Sequence, residues 1–116
     1  MKNWGYVVFE IKEAKEAKQD VKKLAAYMMY SLKNGQAASN FLDYYNKQIQ
    51  NLTTFPFGYR GIGFKYLGYE IRIKPFSSYN IFFVVDQAKN QITILRVLKD
   101  RQNWKNLLHN EDRYSF

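Results

Sequence analysis

The segment QITILRVLKDRQNW, residues 91–104, begins as an apolar strand, carries Arg96 inside that run and leaves it through Lys99, Arg101 and Trp104. A guanidinium makes forked, planar contacts with phosphate, so arginines in such a setting point to phosphate binding or to stabilisation of phosphate charge. All five arginines (Arg60, Arg72, Arg96, Arg101 and Arg113) lie in the second half of the chain, and Lys74 follows Arg72 at a two-residue step. His109 is the single histidine, and histidine is the side chain whose ordinary pKa suits proton transfer near neutrality. A lone histidine near a chain end is nevertheless more often a solvated residue. The absence of cysteine removes disulfides, thiolate nucleophiles and most structural zinc sites. With only one histidine as well, a histidine-based metal site is not expected.

A net charge of +8 and a pI near 9.6 favour polyanionic partners: nucleic acid, the ribosome or an acidic protein. At 116 residues, 47% of them hydrophobic and 18% aromatic, the chain has enough apolar surface to close one core, so a single domain over 1–116 is expected. A polar tail over 110–116 is expected to be flexible. No apolar run approaches the roughly 20 residues needed to span a bilayer. The apolar run in MKNWGYVVFEIKEAK is too short for a secretory signal, so the expectation is a cytoplasmic protein without a membrane partner.

These cations must be positioned by a framework, and periodicity supplies one. WGYVVFEI reads as a strand from Trp4 to Ile11. From Glu13 to Leu32 the residues Ala14, Ala17, Val21, Leu24, Ala25, Met28 and Leu32 recur at helical steps, with Lys15, Lys18, Lys22 and Lys23 mostly on other faces. Those lysines read as a solvated face, or as a contact with ribosomal RNA or an acidic partner. Gly35 is expected to end this helix in the left-handed conformation. A second helix with Ala38, Phe41, Leu42, Tyr45, Ile49 and Leu52 as its stripe should fold back as a hairpin. Residues 55–68, FPFGYRGIGFKYLG, read as a surface loop. YEIRIKPF, YNIFFVVD and QITILRVL then form a three-strand antiparallel meander, followed by a short helix near 102–109.

If Ser77-Ser78 is a two-residue loop and 87–90 a four-residue loop, Lys74 lies opposite Ile81, Arg72 opposite Phe83, and Ile81 opposite Arg96. Paired residues share a face, so Arg72, Lys74 and Arg96 would form a basic row on one open face, Lys74 and Arg96 about 10 Å apart. The other face, with Ile71, Ile73, Phe82, Val84, Leu95 and Val97, would take both helices. Arg72 and Lys74 alone could equally be solvated positions of an amphipathic strand. For Arg96 two readings stand: a core arginine paired with Glu70 or Asp86, or a functional cation at the floor of a cleft.

FPFGYR after the second helix, IRIKPFSSYNIFFVVD across the first hairpin and ITILRVLKDRQNW at the end, in this order, resemble the RelE/ParE superfamily of bacterial type II toxins. The resemblance covers nearly the whole chain. It implies an α+β fold: an antiparallel sheet with an N-terminal strand and a three-strand meander, packed by a helical hairpin, plus a short C-terminal helix. It also implies a growth-inhibiting toxin neutralised by a cognate antitoxin. RelE-like members cut mRNA in the ribosome without metal, the RNA 2′-hydroxyl attacking; ParE-like members inhibit DNA gyrase without being enzymes.

By that resemblance Arg72, Lys74, Arg96 and Arg101 are the expected phosphate-stabilising cations of a ribosome-dependent endoribonuclease, with His109 as proton-transfer candidate. Arg60, Tyr79, Lys99 and Trp104 are the expected RNA contacts, Trp104 having packing of the last helix as its alternative. The chain departs from the RelE-like pattern in lacking an aligned C-terminal tyrosine and in having Asn80 where a basic residue often stands. The alternatives are a ParE-like gyrase inhibitor and an inactive member that retains only antitoxin binding.

Overall fold

In the computed structural model, which describes residues 8–100, 102–109 and 114–116, five strands form one sheet in the order β1-β5-β4-β3-β2. They are β1 (Glu10–Glu13), β2 (Gly61–Tyr66), β3 (Tyr69–Phe76), β4 (Tyr79–Asp86) and β5 (Gln91–Lys99), with helices α1 (Lys15–Ala26), α2 (Gly35–Leu52) and α3 (Trp104–His109). The α+β class, the helical hairpin, the meander and the short last helix all match expectation. Because β1 runs parallel to β5, with Glu10 opposite Gln91, the sheet is mixed. Residues 4–7 of the expected first strand, residues 110–113 of the tail, Arg101 and the side chain of His109 lie outside the described residues.

α1 buries Ala17 and Val21, and its end widens into a π-helical turn, Tyr27–Ser31, closed by Leu32 N–H donating to Tyr27 O at 3.0 Å. The left-handed residue that ends this helix is Lys33 (φ 52°), not Gly35. Asn34 begins the next helix instead, its Oδ1 accepting from Ala37 N–H at 3.0 Å. An asparagine side chain satisfies an otherwise orphaned N–H of the first turn, which is why NG acts here as a start signal. α2 then buries Ala38, Phe41, Tyr45, Ile49 and Leu52, as its stripe requires, while Leu42 faces out.

The expected loop over 55–68 contains a strand. After a 3-10 turn at Pro56–Gly58, β2 pairs with β3 through a two-residue turn in which Leu67 (φ 52°) and Gly68 (φ 85°) are both left-handed. Gly63 (φ 85°) sits where the β2–β3 register shifts, so one glycine that reads as a loop marker is a bulge within a strand. Ile62, Phe64 and Tyr66 alternate along β2 and pack against the sheet's second cluster.

Both hairpin loops of the meander have the expected lengths: Phe76 pairs with Tyr79 and Asp86 with Gln91. Between β4 and β5, however, Phe83 pairs with Ile94 and Phe82 with Arg96, so Leu95 is an extra residue on β5. This bulge shifts everything after it by one. Val97, not Arg96, lies opposite Ile81.

The helices occupy the face opposite to the expected one. Phe41, Tyr45, Ile49 and Leu52 pack on Ile81, Phe83, Val85, Ile92, Ile94 and Val97. Ile71, Ile73, Phe82, Val84, Leu95 and Leu98 are covered instead by Leu108, Tyr114 and partly buried Trp104. The chain's last described residues are tied down: Lys15 N–H donates to Ser115 O (2.7 Å) and Ser115 N–H to Glu16 Oε1 (2.9 Å). Covering both faces explains why β4 is apolar at nearly every position.

Candidate functional site

β3 presents Arg72 and Lys74 toward the helices, beside the connection from α2 to β2. Lys74 is only 4% exposed; its ammonium donates to Gln48 O at 3.0 Å and stands 5.2 Å from the Tyr59 ring. Arg72 Nη1 donates to Tyr59 O at 2.8 Å, and its guanidinium carbon is 5.5 Å from the Phe57 ring. A buried cation is tolerated only where its donors find acceptors, and here backbone carbonyls of α2 and of the following turn supply them. The two side chains therefore fasten the end of α2 and the FPFGY turn to the sheet.

Arg96 does not join them. It pairs with Phe82, on the other side of the sheet from Ile81 and Phe83, and its guanidinium forks onto Asp20 of α1: Nε to Oδ2 at 2.7 Å and Nη2 to Oδ1 at 2.9 Å. Of the two sequence readings the paired one matches, with a different partner from Glu70 or Asp86. Asp20 Oδ2 also accepts Val97 N–H at 3.0 Å. β1 covers β5 only from Gln91 to Ile94. Beyond that point a carboxylate from the helix takes the place of a strand acceptor.

The expected RNA contacts are dispersed. Tyr79 packs its ring on Phe41 (4.9 Å) and Phe76 (5.6 Å), and burial pushes its hydroxyl pKa up, away from proton transfer near neutrality. Trp104 takes its packing alternative, 5.5 Å from the Phe82 ring and 6.4 Å from that of Phe64. Arg60 is exposed, and Lys99 is exposed with its ammonium 5.5 Å from the Tyr27 ring. Asn80, in the position that often carries a cation, is buried and donates to Asp100 Oδ1 at 2.9 Å.

What the structure does assemble is an apolar groove of about 380 Å³ between the tip of the helical hairpin and the β3–β4 turn, lined by Met28, Phe41, Tyr44, Phe76, Ser77 and Tyr79. At the hairpin tip Tyr27, Met29, Tyr30 and Leu32 are exposed, Tyr30 at 76%. Large apolar side chains gathered at a surface mark a place of contact with another molecule. The signal was present in YMMYSL, where apolar residues occur at consecutive positions and no longer follow one helical stripe. Among the described residues no group of acids or histidines could hold a metal ion. The groove has the chemistry of a recognition surface.

The chain matches the family model of the ParE toxin of type II toxin–antitoxin systems over residues 11–104. Its fold is similar to a chain of the chromosomal ParDE toxin–antitoxin system from P. aeruginosa (TM-score 0.65, 17% identity, covering 80% of this chain and 97% of that one). It is also similar to a chain of the RelBE2 toxin–antitoxin complex from Mycobacterium tuberculosis (TM-score 0.55, 14% identity, covering 83% and 95%). A comparison with curated proteins gives no match. The resemblance carried by FPFGYR and the strand motifs is thus met at the level of the superfamily, and the matched span, which runs from β1 into α3, assigns the chain to the ParE toxins of type II toxin–antitoxin systems.

Proposed function

We propose that this toxin arrests growth by binding a protein target, DNA gyrase, rather than by cutting mRNA, and that a cognate antitoxin neutralises it in the cytoplasm. The observation that carries this reading is the engagement in the fold of Arg72, Lys74 and Arg96, the three of the four expected phosphate-stabilising cations that lie among the described residues. Lys74 is buried on Gln48 O, Arg72 is bonded to Tyr59 O, and Arg96 is forked onto Asp20 across the sheet. Stabilising a phosphate in flight needs several cations converging on one accessible point, with a proton acceptor beside them. A gyrase inhibitor needs only a contact surface, and the groove beside Tyr44 and Tyr79, with the exposed hairpin tip, supplies one.

The test is induced expression followed by two assays. Primer extension across a translated message and a matched untranslated copy should reveal no cuts while growth stops, and purified toxin should block supercoiling by gyrase. Cuts confined to the translated copy, and lost in an Arg101→Ala variant that still folds, would overturn the reading in favour of the endoribonuclease.

A further inference from the structure

We propose that the exposed face of α1 is a docking surface for the phosphate backbone of duplex nucleic acid, bound without regard to sequence. This goes beyond growth arrest and does not depend on whether the target is gyrase.

Four lysines carry it: Lys15, Lys18, Lys22 and Lys23, all exposed. At 3.6 residues per turn the first three fall within about 60° of one another around the helix, with Lys23 flanking them. Lys15 to Lys22 covers roughly 10 Å of helix. A duplex presents one phosphate charge per about 1.7 Å of its axis, hence about six over that length.

The charges on α1 are sorted. Its two acids lie off the stripe of Lys15, Lys18 and Lys22, on the side where Lys23 flanks it, and both are engaged elsewhere: Asp20 accepts Arg96 and the Val97 N–H, and Glu16 accepts the Ser115 N–H. No ion pair occupies any of the four lysines among the described residues. The lysine face is thus uncompensated on a chain of net charge +8, an arrangement that attracts polyanions and repels a second copy of itself.

The chemistry of the face selects duplex over single strand. The other exposed residues of α1, Gln19 and Ala26, are not aromatic, and the exposed rings of Tyr27 and Tyr30 stand beyond its C-terminal end rather than among the lysines. Lysine is a point charge on a flexible stem and suits a backbone rather than a base edge. Of the described arginines, Arg72 and Arg96 are bonded inside the fold, and exposed Arg60 precedes β2, at the sheet edge opposite to β1.

The experiment is fluorescence anisotropy of a labelled duplex DNA of arbitrary sequence, titrated with full-length toxin over a range of salt concentrations. Three variants are compared: Lys15, Lys18, Lys22 and Lys23 all changed to Gln; the same four changed to Arg; and the exposed Lys47, Lys65, Lys89 and Lys105 changed to Gln, which removes the same charge elsewhere. Circular dichroism establishes that each folds. The α1 Gln variant should lose roughly tenfold or more in affinity at about 50 mM salt, and its log K against log salt slope should fall by about 3 to 4. The Arg variant should bind like wild type, and the second Gln variant should lose less than about one in slope. Equal losses in the two Gln variants would reduce the effect to net charge and overturn the proposal. So would wild-type binding that is absent at low salt, or displacement of the duplex by a polyglutamate peptide at equal charge concentration, which would make the face a protein-docking surface.

Discussion

Asp20 on α1 and Arg96 on β5, 76 residues apart in the chain, form a forked ion pair at 2.7 and 2.9 Å, and the same carboxylate caps the free edge of β5 at Val97. The helix is thereby attached to the sheet at the point where β1 stops pairing. With side-chain exposures of 12% and 10%, neither partner has enough water to replace the other.

Removing both partners should therefore cost clearly less than the sum of removing each alone. Asp20→Ala is expected to destabilise the fold by about 3 kcal/mol, because it takes the forked acceptor from a mostly buried guanidinium and leaves Val97 N–H without its acceptor. Urea unfolding of Asp20→Ala, Arg96→Ala and the double variant measures this. A double-variant loss equal to the sum of the single losses would remove the coupling.

Lys74 separates the two functional readings without requiring a target assay. Lys74→Met keeps the apolar stem but leaves Gln48 O without its donor, an expected loss of about 1 to 2 kcal/mol. Growth arrest on induction should persist if the lysine is a fastening between strand and helix. Complete loss of arrest in a variant that melts cooperatively would restore Lys74 to a phosphate-stabilising role.

The turn between the helices yields a pair of opposite effects. Asn34→Ala removes the acceptor for Ala37 N–H and should lower stability by about 1 kcal/mol. Lys33→Gly places the residue best suited to a positive φ at the left-handed position and should raise stability by about 1 kcal/mol. Thermal melts of the two variants should move in opposite directions from wild type; movement in the same direction would contradict the capping geometry.

Glu16 makes attachment of the chain's end dependent on pH. The Ser115 backbone N–H bond to its carboxylate holds its pKa below the ordinary value of 4.5. A folded pKa below the unfolded one means stability that is present above pH 4.5 and lost as pH falls through the folded value. Glu16→Gln should therefore be less stable than wild type at neutral pH, and the gap should close in acid. A gap that stays constant down to pH 2 would mean that the carboxylate charge plays no part.

The sequence by itself determined the elements whose signals are local. The stripes of α1 and α2 appear at three- and four-residue steps, and the tight loops at Ser77-Ser78 and 87–90 determine the β3–β4 register and the start of β4–β5. It also carried the superfamily resemblance, since the motifs are short stretches in order. It misread GIGFKY because Gly61 and Gly63 read as loop, whereas Ile62, Phe64 and Tyr66 alternate along β2 and pack against a face already supplied by β3 and β4. Only the tertiary structure decided which side of the sheet the cations meet. Leu95 is one residue too many on β5, and since side chains alternate at every step, that bulge moved Arg96 off the row of Arg72 and Lys74. Nor does any local pattern mark Asp20 as the acceptor for Arg96 and Val97. That role exists only because β1 ends at Glu13 and a helix packed beside β5 brings a carboxylate to an edge that would otherwise leave a buried N–H unpaired.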